Sequence, residues 1–177
     1  YFYRNNSNEN IMMYTYNLWE SVDWSASIAN PQTGGIYREL DLMGNGLPNS
    51  ITLPFNEYMI VAWLAKIQEE ENNLVGDANE LWDNHYEHPD SLPKIDYNGI
   101  PLLTDNPNSY LSNFIVQFTY YICNHFTRHE GYKYYMQNAR KADSLWWAIE
   151  TDTQSFEWGL GAGSTYNFGY HADAIDN

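Results

Sequence analysis

A chain of 177 residues with 44% apolar and 18% charged residues can build one domain around a buried core, and that apolar content excludes general disorder. Its 23 acidic residues against 8 basic ones leave a net charge of −15, a surface that repels phosphate backbones and anionic lipid, so no nucleic acid and no membrane are expected as partners. No apolar run approaches the ~20 residues of a membrane span.

The chain opens at Tyr1-Phe2-Tyr3-Arg4, without an initiator methionine, as a processed or excised product would. Helical periodicity first appears over 9–21, where Ile11, Tyr14, Leu18 and Val22 share a stripe. Glycine punctuation at Gly34-Gly35 and Gly44-Asn45-Gly46 flanks Ile36 to Leu42, which reads as a strand or hairpin arm. Pro54 suits a first helical turn and opens a predicted helix over 55–70. Its stripe runs through Met59, Ile60, Trp63, Leu64 and Ile67, and it ends in Glu69-Glu70-Glu71, read as solvated. A shorter helix is predicted near Asp77 to His85. Asn98-Gly99 then signals a tight turn between short apolar groups. The next helix is predicted over 109–127, with Leu111, Phe114, Ile115, Phe118 and Ile122 on one face. The last covers 132–150 through Tyr135, Ala139, Ala142, Leu145, Trp146 and Ile149. Cys123 lies inside an aromatic helical pattern and reads as a small buried hydrophobe; as the lone cysteine it has no intrachain disulfide partner. The pattern as a whole reads as a single all-α domain, 1–177, with small β excursions in its loops.

Beyond the last helix the chain turns glycine-rich, from Phe156-Glu157-Trp158-Gly159-Leu160 through Gly163-Ser164 to Gly169-Tyr170-His171. Glycines at this density let backbone pass close to a ligand. Trp158, Tyr166 and Tyr170 offer flat rings on which the C–H face of a pyranose can stack, while neighbouring polar groups bond its hydroxyls. Gly161 to Ser164 lacks the lysine of a phosphate-binding loop. His85 and His88, among Asp83, Glu87 and Asp90, fix no third strong metal ligand, and Pro89 ends any helix there. Calcium held by oxygen ligands in an acidic loop stays open.

In their order, four segments resemble the C-terminal half of the glycoamylase-like family, which includes bacterial endo-β-1,2-glucanases and the related domain of cyclic β-glucan synthases. They are Val22-Asp23-Trp24, Phe55-Asn56-Glu57-Tyr58, Phe114-Ile115-Val116-Gln117-Phe118-Thr119, and Tyr134-Tyr135-Met136-Gln137-Asn138 followed by Trp158-Gly159-Leu160 and Gly169-Tyr170. The resemblance implies a partial (α/α)6 toroid of antiparallel helix pairs with short β-hairpins in the loops. It implies a secreted or periplasmic protein that acts without a cofactor on oligosaccharide or polysaccharide, a β-glucan. A toroid cut near its middle would need its missing N-terminal half or another protein chain as a partner. Three positions depart from the family pattern: Ser164 stands where the loop carries an acid, Val116 where it carries His, and Asn124 where it carries Asp.

Glycoside hydrolysis uses two carboxyl groups across the scissile bond. Glu57, at the start of its helix, is the first candidate, with capping of that helix as its alternative role; Asp173, after the glycine loop, could replace the acid missing at Ser164. Asn56, Gln117, Trp158, Ser164, Tyr166, Tyr170 and His171 are the candidate substrate-binding residues, and no metal is expected. The start of the Pro54 helix and the Trp158–Tyr170 segment should then converge on one cleft. A non-catalytic carbohydrate-binding or assembly protein of the same descent is the alternative that Ser164, Val116 and Asn124 favour.

Overall fold

Apolar residues in the connections, as well as those in the helices, are what the fold buries. The computed structural model describes residues 9–108, 113–150, 163–165 and 169–171. Helix α1, Glu9–Glu20, forms where the periodicity placed it, with Glu9 suited to the positive end of the helix dipole. None of its residues is buried, however, and Tyr14 and Leu18 are 68% and 70% exposed. Asp23 caps a short 3-10 turn, Trp24–Ser27, by accepting from the Ala26 amide at 3.3 Å.

That turn leads into a three-stranded antiparallel sheet of β1 (Ile28–Asn30), β2 (Gly35–Tyr37) and β3 (Ile51–Thr52), in the order β1-β2-β3. Ile28 pairs with Ile36, and Ile36 with Thr52, so the sheet drives two isoleucines into the core. The predicted arm Ile36 to Leu42 stops early. Asp41 turns the chain instead, accepting from the amides of Met43 at 2.8 Å and Asn45 at 2.9 Å.

Helix α2 spans Met59–Glu71 rather than starting at Pro54. The Asn56 side chain holds the preceding turn: its amide nitrogen donates to Thr52 Oγ1 (2.7 Å) and the Leu53 carbonyl (2.9 Å), and its oxygen accepts from the Tyr58 amide (3.0 Å). The buried face of α2 is Met59, Ala62, Ala65 and Glu69, so small residues meet the core while Ile60 and Trp63 are half-buried beside it. Glu69 is not solvated as its acidic run suggests; it is 5% exposed. Its carboxylate accepts from the amides of Ala78 (3.1 Å) and Asn79 (2.9 Å) and from the Ser25 hydroxyl (3.2 Å). It thereby caps helix α3, Asp77–Leu81, which continues as a π-helical turn, Trp82–Tyr86.

Strands β4 (Lys94–Tyr97) and β5 (Ile100–Leu103) form the hairpin that Asn98-Gly99 announced, with both turn residues at positive φ, 51° and 82°. The region predicted as one helix over 109–127 is broken: α4 covers Phe114–Ile122, Cys123 is extended, and α5 covers Asn124–Arg128. Thr119 Oγ1 bonds back to the carbonyls of Ile115 (2.8 Å) and Val116 (3.1 Å) just before the break. Cys123 itself is buried and unbridged. Helix α6, Glu130–Glu150, is the longest element. It carries Tyr132, Tyr135, Met136 and Ala139 into the main core, where Phe126 and Tyr132 meet edge-on at 4.2 Å between centroids. The β4–β5 hairpin packs on its C-terminal half, Tyr97 and Leu102 against Ala142, Leu145 and Trp146. Asn138 secures the join by donating to the Pro101 carbonyl at 3.0 Å.

The architecture is therefore mixed, and the expected all-α partial toroid is incorrect. The segments taken as loop excursions are sheet elements that supply core residues of their own: Ile28, Ile36, Tyr97, Leu102 and Leu103 are all buried. A last antiparallel hairpin, β6 (Gly163–Thr165) with β7 (Gly169–His171), aligns Ser164 with Tyr170 and Gly163 with His171.

Candidate functional site

Helices α4 and α6 pack side by side, and an acid sits where their buried faces meet. Asp143 is 6% exposed on the Ala139–Ala142 side of α6. Asn113, at the N-terminal cap position of α4, donates to its Oδ1 at 2.7 Å and to the Ala139 carbonyl at 3.1 Å. Gln117, one turn into α4, donates to Asp143 Oδ2 at 2.9 Å. A buried carboxylate is costly unless its oxygens are bonded, and the two amides meet that requirement from one helix. In return the carboxylate holds the half-buried Gln117 amide in a fixed orientation, which leaves its carbonyl oxygen as an acceptor.

Above this network lies a cleft of about 770 Å³. Gln117 and Tyr121 line it from α4, one turn apart; Met136, Gln137, Arg140, Lys141 and Ser144 line the facing stripe of α6. Tyr121 is 71% exposed, so its ring is open to a ligand. The lining combines an aromatic face, amide and hydroxyl groups of both hydrogen-bonding senses, and two cations. That donor and acceptor set suits a polyhydroxylated ligand.

A smaller cavity of about 430 Å³ is lined by His125, Arg128 and His129. Behind it Glu87 accepts from Trp82 Nε1 at 3.0 Å and lies 3.3 Å from His125 Nε2. Burial pulls the His125 pKa below its ordinary value, with smaller contributions from His129 and Lys66, and Glu87 opposes the shift without reversing it. Among the described residues no group of three or more His, Cys, Asp or Glu side chains is placed to hold a metal ion, and no helix is long and apolar enough to cross a membrane.

Of the residues picked from sequence, Gln117 lies in the α4–α6 cleft. Glu57 is exposed in the turn before α2 and does not line it. Asn56 is buried and bonded to its own turn, so it acts there as scaffold. Ser164, Tyr170 and His171 are brought together by the β6–β7 backbone register. Trp158, Tyr166 and Asp173, and with them the expected convergence of Glu57 and Trp158, lie outside the described residues. Asp143, Asn113 and Arg140 escaped the sequence reading. A signal for Asp143 was present: it is the acid beside Ala139, Ala142 and Leu145 in an otherwise apolar helical stripe.

No protein-family model, curated protein or solved structure matches the chain.

Proposed function

We propose that the chain is the carbohydrate-binding part of a glycoside-hydrolase-like protein acting on β-glucan, and that the cleft between α4 and α6 is its binding surface. The observation that carries this reading is the Asn113–Asp143–Gln117 network beneath the exposed Tyr121 ring. Sugar recognition needs planar polar groups held rigid, so that hydroxyls are bonded without an ordering cost, and an aromatic face for the ring. The ordered resemblance of four segments to the glycoamylase-like family supports the same ligand class and an extracytoplasmic setting. The cleft binds rather than hydrolyses: among the described residues that line it Asp143 is the one carboxylate, and hydrolysis calls for a pair.

Calorimetric titration of the full chain with β-glucan oligosaccharides tests the proposal. Gln117→Ala and Tyr121→Ala should each weaken binding about tenfold, the equivalent of one good hydrogen bond or one stacked ring. Unchanged affinity in both variants, together with a loss in Glu57→Gln, would move the binding surface to the start of α2 and overturn this assignment.

A further inference from the structure

Cations are scarce on this chain, and where they are left unpaired is informative. Of the 8 Lys and Arg residues, Arg4 alone lies outside the described segments. Lys66 pairs with Glu70, Lys133 with Glu130, Lys94 donates to the carbonyls of Asp90 and Leu92, and Arg38 donates to the Ser50 carbonyl. Arg128, at the small His125–His129 cavity, is a single cation without such a partner among the described residues. Arg140 and Lys141 likewise have none, although the chain carries 23 acids. Both are exposed, adjacent in sequence, and line the α4–α6 cleft together with Gln117 and Tyr121.

We infer that the glycan taken by this cleft bears an anionic group, a carboxylate or a sulfate ester, and that Arg140 and Lys141 are the residues that select it. This rests on the carbohydrate-binding reading above and adds the charge of the substrate. A guanidinium fork matches a planar oxyanion with two parallel N–H donors, and the neighbouring ammonium adds a point charge. Among the described residues of the lining Asp143 is the one acid, and its oxygens accept from Asn113 and Gln117. The described part of the lining thus carries two cations against one acid on a strongly acidic protein. At physiological ionic strength fields decay over about 8 Å, so an incoming anion responds to this local pair more than to acids elsewhere on the surface. A neutral glucan would leave both cations without a counterpart.

The experiment titrates the full chain with three matched β-linked oligosaccharides: neutral glucose units, glucuronate units, and sulfated glucose units. The anionic ligands should bind about tenfold tighter than the neutral one at low salt, with the margin shrinking as salt rises; whichever anion wins identifies the substituent. An Arg140→Gln, Lys141→Gln double variant should erase that margin, bringing anionic and neutral ligands to equal affinity. Both side chains are exposed and unpaired among the described residues, and an unchanged thermal midpoint confirms that the variant folds. Equal affinity for neutral and anionic ligands, or a margin that survives the double variant, overturns the inference and leaves the cleft as a neutral-sugar site. Failure of all three ligands to bind overturns the inference and the carbohydrate reading together.

Discussion

Removing the Glu69 carboxylate would leave the amides of Ala78 and Asn79 without their acceptor at the start of α3, a region closed to water by the side chain itself. A Cβ at Gly76 would overlap that carboxylate, so the approach of the two segments depends on glycine there. Glu69→Ala should therefore lower stability by about 2 kcal/mol, and Glu69→Gln, which keeps one acceptor oxygen, by less. Urea unfolding checks both; equal midpoints for wild type and Glu69→Ala would remove the capping role. His125 makes a prediction of the opposite chemical kind. Its folded pKa lies below the ordinary value, chiefly through burial, so the unfolded chain binds more protons as pH falls below about 6.5. Its contribution to stability is present above that pH and is lost on going down towards the folded pKa. His125→Gln should accordingly flatten the stability profile between about pH 6.5 and 5, before most carboxylates titrate. A profile with the same slope in wild type and variant would dismiss the role of His125.

At the scale of elements, what was legible in the sequence was local, and what was missed depended on partners far along the chain. Asn98-Gly99 declared its hairpin because the turn requires positive φ at both residues, a property of those two residues alone. Gly99→Val should cost about 1–2 kcal/mol for the same reason, measurable as a lowered thermal midpoint. Helix α1 and the body of α6 were legible through periodicity. Their facing was less so. Periodicity points the large side chains inward, yet α2 turns Ala62 and Ala65 to the core, and α4 buries Ile115, Val116 and Thr119 while Phe114 and Phe118 stay exposed. Close packing needs small residues where backbones approach, and periodicity cannot tell which of two apolar faces that is. The break at Cys123 and the partner of Glu69 were equally hidden, since each is settled by tertiary contacts. The site followed the same division. Gln117 was found from its segment, but Asp143 acquires meaning only when α4 lies against α6.

For the whole molecule, two forces of opposite sign govern association. The net charge of −15 drives copies apart, and that repulsion acts beyond contact at low salt. Against it stand exposed apolar side chains: Tyr14 and Leu18 on α1, and Phe114, Phe118 and Ile122 on α4, each at least 43% exposed. Exposed apolar faces of this kind favour association, because contact removes them from water. The chain should bind an apolar dye, and Leu18→Lys with Phe118→Lys should reduce the signal severalfold. Salt separates the two forces. Raising ionic strength shortens the screening length from about 30 Å at 0.01 M to about 3 Å at 1 M, which removes repulsion between copies while leaving apolar contact intact. Sedimentation velocity should then show association increasing with salt and reversing in the double lysine variant. Association that falls as salt rises would instead mean that opposite charges hold the copies together, and the apolar faces would lose their assigned role.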